Sequence, residues 1–374
     1  MHRLFLILRG IYPQQDKKQS AQPHAQLILG HMSNILTTDQ IQKVISLVQN
    51  ARTIVITSHK SPDGDAVGSA LAMYHLLLNM GKNVRTILPD HAPDFLKWVP
   101  GYSDIMFFEE RTEDCHAEIM HCDLIFALDY NHLNRVGDAM QASLENTKAD
   151  FILIDHHQQP GNFPVVSYSD TSACSTCEMV YRFTEQCGWK SKVNVHMAEC
   201  VYTGIMTDSG SFRFHTVSPD THRIVAELMQ LGIDHAQIHR QVYDVNLMDK
   251  LRLIGYALSE KLEVMETCST AMIWLTQEEL SRYNYKQGDT EGLVNQALSI
   301  KGIKLAVFFR EGNNEIKASF RSKGSFDVNE FARNYWSGGG HKNAAGGLSA
   351  DSMKDTIQKL RDLATKNAST INHS

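Results

Sequence analysis

The sequence predicts an α/β fold class: an N-terminal doubly wound parallel sheet joined by a helical connector to a smaller α+β C-terminal domain. Three observations carry this. Four apolar runs in the first half are continuous rather than alternating, as strands buried on both faces are. They are "TIVITSH" (53–59), "NVRTIL" (83–88), "DLIFALD" (123–129) and "FILIDHH" (151–157). Between the first two, "AVGSALAMYHLLLNMG" has helical apolar spacing and ends on a glycine stop. Beyond residue 262 the strand signals follow a different order.

Strand, helix, strand implies a right-handed crossover and a sheet covered by helices. The stretch "STCEMVY" reads as a helix start, with Ser175 as N-cap and Glu178 three residues on. A helix at roughly 195–207 completes a first domain spanning 33–218. A helical stretch over 219–262 is expected to be the connector. In the second domain (263–367), "TAMIWLT" precedes a helix opening near Asp289. "IKLAVFFR" then pairs with "EIKASFRS" across the turn "EGNN".

The 374 residues suffice for two such domains. A net charge of -6 argues against a broad basic surface that grips long nucleic acid, and leaves room for a small anionic substrate. No apolar stretch approaches the ~20 residues of a membrane span. Seven scattered cysteines make a poor disulfide framework and fit a reducing, cytoplasmic setting. Cys174 and Cys177 form a CxxC without a second pair, and read as small buried residues rather than zinc ligands. Residues 11–31 are polar and without period, so residues 1–32 read as an N-terminal extension. Deleting residues 1–31 is expected to leave folding and activity intact.

Ligands in open parallel sheets bind beyond the carboxyl ends of the strands. The first predicted strand runs into His59, Asp63 and Asp65, the third ends on Asp129, and the fourth on Asp155, His156 and His157. "GIMTDSGSFRF" adds Asp208 near the end of the later helix. Asp and His together, without cysteine, suit a hard or borderline divalent ion such as Mn²⁺, with Mg²⁺ as the alternative. The set is too large for one ion and right for two, and a binuclear pair activates water for displacement at phosphorus.

"SHKSPDGDAVGSALA", "ALDYNHLNRVG", "LIDHHQQP" and "YTGIMTDSGSFRF" resemble the four successive motifs of the DHH phosphoesterase family. "GLVNQAL", "ASFRSKG" and "GGGHKNAAGG" resemble its DHH-associated C-terminal domain, in the oligoribonuclease/pAp phosphatase branch. The resemblance implies that His59, Asp63 and Asp129 hold one Mn²⁺, and that Asp65, Asp129, His156 and Asp208 hold the other. It makes Asp155 the partner that orients a ligand imidazole, and sets His157 against the scissile phosphate.

Alternation in "EIKASFRS" turns Ile316, Ala318 and Phe320 inward and leaves Arg321 to the cleft. In "WSGGGHKNAAGG", Gly338, Gly339 and Gly340 would let backbone N–H groups approach an anion, aided by a short helix beginning near His341. Arg321 and His341 are therefore candidates for the terminal phosphate or nucleotide. Arg213 is either a third cation or the partner of neighbouring acids.

The expected activity is Mn-dependent hydrolysis of short oligoribonucleotides, of 3′-phosphoadenosine-5′-phosphate (pAp), or of both. Hydrolysis of cyclic or linear di-AMP is the alternative. A pyrophosphatase is disfavoured by the second domain, a long-strand exonuclease by length and charge, and a non-catalytic scaffold by the intact ligand set. The expected partners are short RNA or small nucleotides as substrate, with no long duplex nucleic acid and no membrane. A homodimer is compatible with the sequence.

Overall fold

The computed structural model describes residues 35–312 and 315–374; the expectation for residues 1–31 lies outside them. The chain enters the first domain through helix α1 (Thr38–Asn50). The Thr37 hydroxyl accepts from the Gln40 N–H, while the Gln40 side chain accepts from the Thr37 N–H. There follow β1 (Thr53–Thr57), α2 (Gly64–Asn79), β2 (Asn83–Leu88), β3 (Met106–Phe107), α3 (Thr112–His121) and β4 (Leu124–Leu128). The domain continues with α4 (Asp138–Asn146), β5 (Asp150–Asp155), β6 (Val166–Ser169), α5 (Thr176–Gln186) and α6 (Val195–Asp208).

The six strands form one parallel sheet in the order β3-β2-β1-β4-β5-β6. The four strands read from continuous apolar runs are its centre. The two edge strands escaped that reading because β3 has two residues and β6 alternates buried and half-buried positions. In β1, Ile54 and Ile56 join the core under α1, α2, α5 and α6, while Val55 joins the core under α3 and α4. Burial on both faces is why the runs lack alternation. Strand order reverses between β1 and β4, so their loops part and leave a crevice at the carboxyl ends.

The connector is three helices: α7 (Pro219–Gln230), α8 (His235–Tyr243) and α9 (Met248–Glu260). Gly232, with φ of 94°, ends the first, and the Asp234 carboxylate caps the second. The second domain holds β7 (Leu262–Met265), β8 (Thr270–Leu275), α10 (Gln277–Arg282), α11 (Leu293–Ser299), β9 (Leu305–Glu311) and β10 (Ile316–Ser322). It ends with α12 (Val328–Tyr335), β11 (Gly339–His341), β12 (Ala344–Ser349), α13 (Met353–Lys366) and α14 (Ala368–Asn372).

Its mixed sheet runs β11-β12-β10-β9-β8-β7, parallel only between β8 and β9. The predicted β9–β10 hairpin is present, with Ile316, Ala318 and Phe320 buried. The helix expected near Asp289 begins at Leu293, and α10 precedes it. One expectation fails outright: no helix begins at His341. Residues 339–349 form the antiparallel pair β11–β12, so a helix terminus contributes nothing to the glycine segment. A Cβ on Gly338 would overlap the Gly346 carbonyl oxygen, and Gly340 holds φ of 153°. The glycines serve close strand pairing first.

Candidate metal centre and substrate cleft

Six side chains from the four motif segments of the first domain meet at the carboxyl edge of its sheet. The ligand atoms of His59, Asp63 and Asp129 lie within 4.8 Å of one another, and so do those of Asp65, Asp129 and His156. Asp129 belongs to both groups. Asp208, the last residue of α6, brings Oδ2 to 3.7 Å from His156 Nε2.

Local structure aims each donor. Asp63 caps α2 through Oδ1 alone, accepting the N–H groups of Asp65 and Ala66 at 3.0 and 3.1 Å. His59 turns Nδ1 to the Lys60 carbonyl at 2.9 Å and Nε2 to Asp129 at 3.4 Å. His156 does likewise, with Nδ1 3.3 Å from the Ala173 carbonyl and Nε2 3.6–3.8 Å from Asp65, Asp129 and Asp208. An imidazole held at Nδ1 by a carbonyl, with Nε2 facing carboxylates, is the arrangement of a metal ligand.

Two contacts that hold the carboxylates were not foreseen. The first N–H groups of α5, on Thr176 and Cys177, donate to the two oxygens of Asp65 at 2.6 and 2.9 Å. The Thr176 hydroxyl donates to Asp129 Oδ1 at 2.9 Å. Ser175 is the N-cap, as expected, but Glu178 does not close a capping box. Its carboxylate instead accepts from Cys174 Sγ and Thr221 Oγ1, both at 2.8 Å, and pairs with Arg182. The seven cysteines are free and buried.

Backbone strain collects here too. Of the eight non-glycine residues with positive φ among the described residues, Ser61, Asp129, Gln159, Ser211, Phe212 and Ser337 lie in the site-forming segments. Asp129 itself holds φ of 63°. Such conformations cost free energy and persist where surrounding structure enforces them, which is typical of functional sites.

The buried acids and imidazoles of the cluster shift one another strongly. Burial would lower the His59 imidazolium, yet Asp129 and Asp63 raise it to about 9. His156, likewise buried, is raised to about 10 by Asp208, Asp129, Asp65 and Asp155. Burial and the charges of Asp129 and Asp208 push Asp65 well above the carboxylate range. Burial, with Asp63 and Asp129, raises Asp208 to about 6, against the pull of His156. Asp129 is opposed by burial but held well below its ordinary value by His59, His157 and His156. The carboxylates thus favour the charged form of both imidazoles, as crowded negative charge does. The oxygen and imidazole donors fit a hard or borderline divalent ion.

Asp155 is buried and accepts His157 Nδ1–H at 2.7 Å and the His157 N–H at 3.1 Å. The imidazole it orients is therefore that of His157, not that of His156. His341 of the second domain stacks on His157 with ring centres 4.4 Å apart, and meets His156 edge-on at 4.5 Å. Burial and the two neighbouring imidazoles hold the His341 pKa well below its ordinary value. Arg321 is half-buried; burial lowers its pKa, while Asp208, Glu291 and Asp63 act in the opposite sense. Carboxylates of both domains thus act on its charge. Gly338, Gly339 and Gly340 lead into His341, with Gly339 and Gly340 in β11. Arg213 is not brought to the centre. It is exposed, lies over the Phe214 ring, and has no carboxylate partner among the described residues.

A sheet-edge cluster of this kind, with a second domain closing over it, gathers donors suited to divalent ions. Residues 53–205 match the DHH family, N-terminal domain, and residues 271–370 match the DHHA1 domain. The chain is 29% identical over 84% of its length to the bifunctional oligoribonuclease and PAP phosphatase NrnA of Bacillus subtilis, covering 94% of that protein. To the protein of the same name from Thermus thermophilus it is 28% identical, over 84% of this chain and 90% of the other. The crystal structure of an exopolyphosphatase-related protein from Bacteroides fragilis superposes with a TM-score of 0.86. That protein is 38% identical, with 91% of this chain and 99% of the other covered. The chain belongs to the DHH phosphoesterase family. No helix among the described residues is long and apolar enough to cross a membrane.

Proposed function

We propose that the protein is a Mn²⁺-dependent phosphoesterase that hydrolyses short oligoribonucleotides and pAp. The observation that carries this reading is the pair of donor groups, His59/Asp63/Asp129 and Asp65/Asp129/His156, sharing Asp129. The names of the relatives support the choice of substrate. His59, Asp63 and Asp129 would hold one ion, and Asp65, Asp129, His156 and Asp208 the other. Two divalent cations so bound would neutralise phosphoryl oxygens and make water nucleophilic toward phosphorus.

The remaining steps fall to the protein's own groups. Asp155 fixes His157 in the tautomer with Nδ1–H bonded, leaving Nε2 without a protein partner among the described residues. His157 thereby faces the scissile phosphate. His341 and Arg321, from the second domain, bind the far phosphate or nucleotide, and Thr176 holds the shared carboxylate Asp129 in place. A substrate clasped between domains in this way is short, because the second domain closes over one end.

A panel of pAp, di- to pentanucleotides, cyclic di-AMP, pyrophosphate and a short polyphosphate, assayed with Mn²⁺ and with Mg²⁺, tests the proposal. Fastest turnover of pAp or the short oligonucleotides in Mn²⁺ is expected. Preference for pyrophosphate or polyphosphate, or no hydrolysis with either metal, would overturn it.

A further inference from the structure

We propose that three neutral amides, Asn131, Gln158 and Asn329, form a positioning relay that registers the glycine hairpin of the second domain against the ligand-bearing loops of the first. Asn329, at the start of α12, is 4% exposed. Its Oδ1 accepts the Gly340 N–H at 2.9 Å and the Arg333 Nε–H at 3.1 Å. Both partners are obligate donors, which fixes the other end of the amide as the NH₂ group. That group donates to Gln158 Oε1 at 2.9 Å, across the domain boundary. The Gln158 main-chain carbonyl in turn accepts from Asn131 Nδ2 at 2.7 Å, a bond that side-chain substitution at 158 leaves in place. The Asn131 carbonyl accepts the Gly161 N–H at 2.8 Å, closing the loop on the first domain.

The sequence neighbours give the relay its meaning. Asn131 lies two residues after Asp129, Gln158 directly follows His157, and Gly340 directly precedes His341. None of the three amides hydrogen-bonds a donor atom of the centre; Asn131 and Gln158 act through the loops that carry Asp129 and His157, and Asn329 acts through the Gly340 N–H beside His341. The relay thus fixes the 4.4 Å stacking of His341 on His157 from both sides. Its neutrality matters. A charged tie would tighten or loosen as cations and anionic substrate arrive, whereas an amide–amide bond responds weakly to nearby charge.

The structural arm of the test is independent of activity; the kinetic arm rests on the functional reading above. Gln158 is half-buried, so Gln158→Ala should fold, and Gln158→Glu retains an acceptor for Asn329. One neutral hydrogen bond corresponds to a factor of roughly two to ten, so Gln158→Ala should accelerate hydrogen exchange across residues 336–345 by about that factor. Gln158→Glu should restore protection. In the kinetic arm, Gln158→Ala should raise KM for a diribonucleotide by a similar factor, and by more than for bis(4-nitrophenyl) phosphate, with kcat falling less than KM rises. Unchanged exchange in Gln158→Ala, or a Glu variant that behaves like Ala, overturns the relay. If the wild type hydrolyses no nucleotide, the functional reading fails while the exchange data still decide for or against the relay.

Discussion

Replacing Gly204 by alanine should damage the metal centre from behind. Gly204 lies in α6 where that helix packs on α2 and α5, and it approaches residues that hold Asp65. A Cβ built there would overlap Cys177 Sγ and lie 2.8 Å from both Cys177 Cβ and Asp65 Oδ1. Alanine gains about 1 kcal/mol of helix propensity over glycine. Overpacking a tight core typically costs about 1–3 kcal/mol, and here three atoms are crowded at once. With the overpacking cost in the upper part of that range, about 2–3 kcal/mol, the net expectation is a loss of roughly 1–2 kcal/mol in urea unfolding.

The binding effect should exceed the stability effect. Cys177 cannot retreat without moving its own N–H, which donates to Asp65 Oδ1 at 2.9 Å, and the adjacent Thr176 N–H and hydroxyl, which hold Asp65 and Asp129. Disturbing the shell behind metal ligands costs about 10- to 100-fold in affinity. Calorimetric titration with Mn²⁺ should therefore show one weakened ion, and Cys177→Ala added to Gly204→Ala should recover part of the loss by removing the overlapping sulfur. Gly204→Ala with wild-type stability and wild-type Mn²⁺ affinity would refute the reasoning.

Three further outcomes are expected. Thr176→Val keeps shape but removes the 2.9 Å hydrogen bond to Asp129, so Mn²⁺ affinity should fall about tenfold with circular dichroism unchanged; equal affinity would place the hydroxyl outside the centre. His59 and His156, at about 9 and about 10 without metal, must lose protons to become ligands. Titration near pH 7.5 in buffers of different ionisation enthalpy should thus show proton release, and affinity should rise with pH; release of no protons would contradict the ligand assignment. In the metal-free protein both folded pKa values lie above the unfolded imidazole value of about 6.5. Their stabilisation is therefore full below about pH 6.5 and lost as pH rises through 9 to 10, a trend that thermal unfolding with chelator checks. Arg321→Ala should raise KM for nucleotides more than for a small generic phosphodiester, and equal effects would argue against a gripping role.

What was legible in the sequence was local. Continuous apolar runs marked the four central strands because a strand covered on both faces has no polar side to show. The residues just past those runs marked the centre, because open sheets present ligands at that edge. The alternation of β10 correctly turned Arg321 away from the core. What was illegible depends on distant pairings. Thr176 touches Asp65 across 111 positions of sequence, and Asn329 touches Gln158 across 171. Ser175 gave a clear helix start, but a cap says nothing about which carboxylate the next N–H groups will meet. The glycine segment misled for a related reason. Glycines serve helix-terminal anion sites and tight strand pairing equally well, and only the partner strand β12 distinguishes the two.

Fold and site are bound together by the charge they must tolerate. Asp63, Asp65, Asp129 and Asp208 crowd one sheet edge, and a compact chain would ordinarily avoid that crowding. The fold meets it with directional groups rather than bulk charge: the N–H groups of α5 on Asp65, a hydroxyl on Asp129, and two imidazoles whose Nδ1 atoms are committed to carbonyls. The imidazoles offset part of the repulsion, and the other groups fix its geometry, so that divalent cations would meet donors already in place. Backbone strain at Asp129, the residue in both donor groups, fits the same account. A left-handed conformation there is disfavoured in the bare chain, and it is held by strand β4 on one side and by the interlocked loops at Asn131 and Gln158 on the other. The donors are therefore fixed by the protein itself, which is the condition that the proposed pair of cations would need to act on one phosphoryl group.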